Sequence, residues 1–158
     1  MDLTIEKASA SNAHELTHLT RRSKAYWGYS KEQIEKWHKD LLISEEYLLN
    51  HHVYVVKENE QTIGYYSFQY LSKSAIRLDN IFIEPDYIGK GIGKQLMNDF
   101  LKRIKALTVQ TVTLDAEPNA AGFYQKFGFK TISKKQSSIP GRHIPVMELS
   151  FSSLPDVT

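Results

Sequence analysis

Three glycines at alternate positions, Gly89, Gly91 and Gly93, separate a β-branched run, Ala75 to Ile83, from an amphipathic run, about Gly93 to Ala106. Glycine in a regular element costs ~0.5–1 kcal/mol, so three together mark a backbone that takes unusual dihedrals and admits close approach. The run behind them sets Leu96, Met97, Phe100, Leu101 and Ile104 on one helical face. A helix entered this way presents unpaired N–H groups and the positive end of its dipole, an anion site suited to a pyrophosphate. Lys90 and Lys94 add mobile positive charge at its rim. A Walker loop needs Gly-Lys-Ser/Thr, but Gly93-Lys94 is followed by Gln95; a Rossmann fingerprint needs Gly-x-Gly-x-x-Gly near a first strand.

The rest of the chain surrounds this segment with alternating strands and helices. Leu3, Ile5 and Lys7 alternate with polar residues in a first strand, and Asn12 and Glu15 have capping-box spacing ahead of a helix with Leu16 and Leu19 on its core face. Ser30 and Gln33 repeat that spacing before a stripe of Ile34, Trp37 and Leu41, and a short helical turn is expected at Glu45 to Leu49. Strands are expected at Val53–Val56, Thr62–Leu71, Ala75–Ile83, Val109–Leu114, Lys130–Ser133 and Val146–Phe151, with a short helix at Asn119–Phe127. This order predicts an α/β (α+β) chain with a mixed sheet. In the middle strand Ile76 and Leu78 share one parity and Ile81 and Ile83 the other, a slip at Asp79-Asn80 that reads either as a β-bulge or as a strand buried on both faces.

Composition narrows the function classes. The 158 residues fit one domain, and 41% hydrophobic with 24% charged residues is a globular balance. With no cysteine there is no disulfide, thiolate metal site or cysteine nucleophile. Twenty Lys+Arg against 18 Asp+Glu give +2, too balanced for nucleic acid to be the main partner. The first ten residues lack the apolar core of a signal peptide, and no 18-residue apolar window suggests a membrane span, so a cytoplasmic protein without a membrane partner is expected. Residues 154–158 read as a loose C-terminal tail.

The stretch Ile81-Phe82-Ile83-Glu84-Pro85-Asp86-Tyr87-Ile88-Gly89-Lys90-Gly91-Ile92-Gly93 resembles the signature segment of the GCN5-related N-acetyltransferase (GNAT) superfamily, Gln/Arg-x-x-Gly-x-Gly/Ala at a helix start. Pro118 to Phe129, with Asn119, Phe123-Tyr124 and Gly128-Phe129, resembles the superfamily's second motif. Ile88 departs from the Gln or Arg of the pattern, a side-chain contact on which the backbone cradle does not depend.

The resemblance implies a single GNAT-like acetyltransferase domain over residues 1–153. Its mixed, mostly antiparallel sheet would splay between strands 4 and 5, with flanking helices. It implies acetyl-CoA as acetyl donor and no metal: pantetheine along the backbone of Ile81, Phe82 and Ile83, pyrophosphate on Ile88, Gly89, Lys90, Gly91, Ile92, Gly93 and Lys94, and further contacts from Asn119, Phe123 and Tyr124. Tyr124 is the matched general acid, with packing as its other reading. The position matched to the family's middle-strand Glu holds Arg77, which leaves Asp79, then Glu84, for the base, with a bulge role as the alternative for Asp79. Trp27 and Tyr29 in the Arg21–Tyr29 segment and Arg142 in Ser138–Pro145 are candidates for the acceptor side. The acceptor is an amine of a small molecule or peptide, and a homodimer stays open.

Two rival functions are carried. One is an acyl-CoA-binding sensor without catalysis. The other is a zinc peptidase, because His14-Glu15-Leu16-Thr17-His18 spells His-Glu-x-x-His. Leu16 lies ~200° round the helix from His14, so these histidines face away from the core stripe, as a solvated helix face would.

Overall fold

The computed structural model describes residues 2–151. The chain runs β1 (Leu3–Lys7), α1 (Ala13–Ala25), α2 (Lys31–Lys36), α3 (Glu45–Asn50), β2 (His52–Glu58), β3 (Gln61–Tyr70), β4 (Ala75–Ile83), α4 (Ile92–Lys105), β5 (Thr111–Asp115), α5 (Ala121–Gln125), β6 (Lys130–Gln136) and β7 (His143–Ser150). The strands form a seven-stranded sheet in the order β1-β2-β3-β4-β5-β7-β6. β1–β2, β2–β3, β5–β7 and β6–β7 pair antiparallel, whereas β4 runs parallel to β5, Ala75 opposite Thr111 and Arg77 opposite Thr113. With its flanking helices this is the mixed, mostly antiparallel architecture that the resemblance implies. The expected tail, residues 154–158, lies outside the described residues, as does the expected domain end at residue 153.

Local chemistry moves several boundaries. Ser9 and Asn12 close a turn ahead of α1: the Ser9 N–H donates to Asn12 Oδ1 and the Asn12 N–H to Ser9 O, each at 2.9 Å. Asn12 Nδ2 also donates to Glu15 Oε1 at 3.2 Å, so the expected Asn12–Glu15 pair forms between side chains while α1 begins at Ala13. Ser30 caps α2 as expected, accepting from the Gln33 N–H at 3.0 Å. α2 ends at Lys36, yet Ile34, Trp37 and Leu41 are all buried, because turns continue the apolar stripe past the helix. The helix expected over Asn119–Phe127 divides into a 3₁₀ turn at Pro118–Ala120 and a shorter α5.

Two compact units make up the chain: residues 2–68 with 80–103, and residues 69–79 with 104–151. In the first, Leu16 and Leu19 of α1 pack with Leu48 of α3, Val53 and Val55 of β2 and Tyr65 of β3, with Tyr47 and Phe82 at the margin. From Ile63 to Phe68, β3 is buried at every position, the pattern of a strand covered on both faces. Gly64 is required there, since a Cβ would lie 3.0 Å from Phe82 O and 3.2 Å from a Val56 methyl. Tyr66 donates to Asp99 Oδ2 at 2.6 Å and accepts from Arg103 Nε at 3.1 Å, which ties β3 to α4.

In the second unit β7 pairs with both β5 and β6, and Val112, Leu114 and Met147 are buried. β6 is exposed throughout and carries Lys130, Lys134 and Lys135, charges of the kind that keep an edge strand from pairing further. Tyr124 of α5 meets the Phe129 ring edge-on at 5.9 Å.

Candidate active site

The signature segment builds its cradle inside the first unit. Pro85, with its preset φ, starts a 3₁₀ turn over Pro85–Tyr87. The turn consumes two amides: the Ile88 N–H donates to Pro85 O at 3.2 Å and the Lys90 N–H to Tyr87 O at 3.3 Å. Gly89 and Gly91 both have φ of +85°, where an L side chain is strained, and a Cβ at either would project into open space. The first bond into α4 runs from the Gln95 N–H to Gly91 O at 3.1 Å. Ile92, Gly93 and Lys94 therefore supply the orphan N–H donors of a 14-residue helix. Ile92 is buried and anchors the turn, whereas Lys90 and Lys94 are exposed, with Lys90 Nζ 5.4 Å from the Tyr87 ring centroid. Preformed donors beside exposed glycine backbone, rimmed by two lysines, fit a pyrophosphate without side-chain ligands.

Upstream on β4 the alternation of buried residues, Ile76 and Leu78, ceases at Asp79, from which every position through Ile83 is half-buried. The Ile83 N–H donates weakly to Ser23 Oγ at 3.4 Å, and Phe82 packs against Tyr65 at 6.0 Å between ring centroids. Asn80 enters a polar cluster with Ser67 and Tyr47, which sequence reasoning missed; its one signal was Ser67 inside the aromatic run Tyr65-Tyr66-Ser67-Phe68.

The second motif builds its own side-chain cluster in the second unit. Glu117 accepts from the Asn119 backbone N–H at 3.1 Å, from Asn119 Nδ2 at 2.8 Å and from Arg142 at 3.2 Å. Arg142 also donates to Ser137 Oγ at 2.6 Å. Phe123 meets the rings of Tyr124 and Phe127 edge-on. Tyr124 is 8% exposed, and its hydroxyl has no hydrogen-bond partner among the described residues without being sealed from the surface. Burial first, and the Glu117 carboxylate second, push this phenol above its ordinary 10.0, so it stays a proton donor at neutral pH.

Other candidates fall elsewhere. Asp79 is half-buried and accepts from Gln69 Nε2 at 3.0 and 3.1 Å and from Arg77 Nε at 3.1 Å. Arg77 bridges on to Asp115. Trp27 is 37% exposed and meets Tyr26 edge-on, while Tyr29 meets Trp37 and has Lys24 Nζ 5.5 Å from its ring centroid. His14 and His18 lie edge to face on the exposed side of α1, with ring centroids 4.4 Å apart, and Glu15 accepts from Asn12. Ile81–Ile83 and Ile88–Lys94 thus sit on consecutive elements of the first unit, and Asn119, Phe123, Tyr124 and Arg142 gather in the second.

The family model described as "Acetyltransferase (GNAT) domain" matches residues 27–150. The chain belongs to the GNAT acetyltransferase family. This GNAT chain is 30% identical over 96 residues to the peptidyl-lysine N-acetyltransferase YjaB of Escherichia coli (strain K12), covering 61% of this chain and 60% of that protein. It is 40% identical over 50 residues to an uncharacterised N-acetyltransferase, ycf52, of Porphyra purpurea, covering 32% of this chain and 29% of that one. The matched stretches span less than two thirds of either relative. The crystal structure of PaiA N-acetyltransferase from Thermoplasma acidophilum in complex with coenzyme A superposes with a TM-score of 0.77 at 24% identity, covering 96% of this chain and 100% of that one. That likeness shows the fold.

Proposed function

We propose that this GNAT chain acts as one acetyltransferase domain that moves the acetyl group of acetyl-CoA to a primary amine by direct attack in a ternary complex. The observation that carries the reading is the cradle: orphan amides of Ile92, Gly93 and Lys94 behind two positive-φ glycines, in the segment that resembles the family signature and lies within the family match. On this reading those amides hold the pyrophosphate, and the backbone of Ile81, Phe82 and Ile83 pairs with the pantetheine arm as an added strand would. The amine lone pair forms the new C–N bond, the C–S bond breaks, and the amine's proton leaves. An alkylamine of pKa ~10.4 gives up that proton at a cost of about 4–5 kcal/mol at pH 7, and a CoA thiolate of pKa ~8.5 gains only ~2 kcal/mol from reprotonation. Base assistance therefore matters more than acid assistance. Tyr124 is assigned as the acid, supported by its motif position, its proton-retaining phenol and a hydroxyl without a partner among the described residues. Asp79 is assigned as the carboxylate that receives the amine's proton, its Arg77 and Gln69 partners being the competing structural role.

The relative YjaB is named for peptidyl-lysine, which puts lysine side chains first among candidate acceptors, ahead of small amines and protein N-termini. The test is a screen of all three classes reading out CoA release. Acetyl-CoA binding without release to any of them would make the chain a sensor.

A further inference from the structure

We propose that the side-chain carbonyl of Asn80 holds the acceptor nitrogen beside the thioester, with Tyr47 and Ser67 fixing the direction in which that carbonyl points. The proposal rests on the reading that acetyl-CoA lies along β4.

Asn80 Nδ2 lies 2.9 Å from Ser67 Oγ and 3.2 Å from Tyr47 Oη, and the two hydroxyl oxygens are 2.8 Å apart. This triangle has three contacts, each of which needs one hydrogen. With the amide nitrogen facing the hydroxyls, Asn80 donates two hydrogens and either hydroxyl donates the third. With the amide turned over, its oxygen donates none, and each hydroxyl has a single hydrogen, so three contacts would share two. The hydrogen count therefore fixes the amide orientation. Asn80 Oδ1 then points away from the triangle, has no partner among the described residues, and is not sealed from the surface.

The frame behind it is rigid. Ser67 is 0% exposed on β3, and the Tyr47 ring stacks on His51 with centroids 3.9 Å apart and planes 10° from parallel. The Tyr47 backbone N–H is held by Ser44 Oγ at 3.0 Å. A carbonyl so held is a preset hydrogen-bond acceptor. It is also the right kind for a nucleophile: an amide oxygen takes one N–H of a neutral amine and leaves the lone pair free, whereas a carboxylate would favour the ammonium form, which has none.

Its place follows from strand geometry. The cradle lies beyond the C-terminal end of β4, and the pantetheine arm leads back along the strand. Asn80 stands three residues before Ile83, about 10 Å at ~3.3 Å per residue, towards the thioester end of such an arm. The acceptor class this recognises is an amine with at least one N–H.

The test uses the whole chain, acetyl-CoA and n-butylamine, which presents an amine and no other polar group. Free thiol reports CoA release, and the chain's lack of cysteine leaves no background. Asn80→Leu should raise KM for n-butylamine at least tenfold while Kd for acetyl-CoA stays within twofold. Asn80→Asp keeps an oxygen for the amine but supplies no hydrogen to the triangle and favours the ammonium form, so it should raise KM less than Asn80→Leu does while lowering kcat at pH 7. The double variant Tyr47→Phe/Ser67→Ala keeps the carbonyl but frees its rotation, and should raise KM several-fold. An unchanged KM in Asn80→Leu, equal losses in Asn80→Leu and Asn80→Asp, a loss of acetyl-CoA binding in Asn80→Leu, or wild type that binds acetyl-CoA yet fails to use n-butylamine would each overturn the proposal. Wild type that fails to bind acetyl-CoA refutes the underlying reading instead.

Discussion

Arg22, in the last turn of α1, sets Nε on Glu84 Oε1 at 2.9 Å and its terminal nitrogen on Oε2. Glu84 is the residue before Pro85, and its own N–H is fixed to Ile63 O at 2.9 Å. The fork geometry locks one side-chain plane against the other. α1 thereby positions the entry to the glycine cradle while its C-terminal end leads into Tyr26 and Trp27. Because Arg22 is half-exposed, the pair is worth about 1 kcal/mol. Arg22→Ala should weaken acetyl-CoA binding roughly fivefold by calorimetry. Arg22→Lys, which keeps the charge but not the fork, should recover only part of it.

Gly93 lies in the first turn of α4, where no acidic residue occurs. A carboxylate there complements the helix dipole, so Gly93→Asp should leave the apo protein as stable or raise it by ~0.3–1 kcal/mol. The same charge would repel a pyrophosphate. Thermal melts with and without acetyl-CoA should show the linkage shift, ~2.7 kcal/mol at a hundred times Kd for wild type, disappear in the variant. A retained shift would put the cradle elsewhere.

Tyr124→Phe removes a hydroxyl without a partner among the described residues, so the melting temperature should hardly change. Its kcat should drop towards the low end of the ~10²–10⁴ range for acid–base groups, with acetyl-CoA affinity intact. The pH profile separates acid from packing. Wild-type rate should climb as the amine deprotonates and show no descending limb below pH 10, because burial keeps the phenol protonated past its ordinary 10.0. A fully active Tyr124→Phe enzyme would return the residue to the core.

The parts of this fold legible in sequence are those carried by short-range period. The Ala75–Ile83 strand came out with its observed ends, and the Gly89–Gly93 spacing marked a turn whose strained dihedrals only glycine adopts freely. What escaped depends on pairs that meet only on folding. Asn80 finds Ser67 thirteen residues back and Tyr47 thirty-three back, and no local pattern links them. Glu117 carries no motif of its own, yet it accepts from both Asn119 and Arg142. At α1 the Asn12–Glu15 spacing marked a helix start but not the Ser9–Asn12 turn ahead of it, and Pro85 set a 3₁₀ turn that the glycine pattern alone concealed.

The proposed acceptor-side residues separate by their surroundings. Arg142 and Glu117 are both largely buried, so Arg142→Ala takes a charged hydrogen-bond donor from the Glu117 carboxylate, which keeps its bonds from Asn119, and should cost about 1–3 kcal/mol in urea melts. Trp27, which is partly exposed, should tolerate Ala with little loss of stability. If both serve the acceptor, each variant raises its KM while acetyl-CoA Kd stays put. Arg142→Ala with altered stability and unaltered acceptor KM would mark that residue as structural.

Asp115 gives the second unit one acid-sensitive contribution to stability. Its burial favours the protonated form, but hydrogen bonds from Lys135 and Arg77 outweigh this and hold the carboxyl below its ordinary 3.8. The unfolded chain therefore binds this proton more readily than the folded one. The contribution is complete above pH 3.8 and is lost as pH falls through the lower, folded value. Urea melts should show wild type more stable than Asp115→Asn by a constant margin from pH 7 to 5, with the margin closing below pH 4. A margin that persists at pH 2 would mean that Asp115 acts there through packing rather than charge.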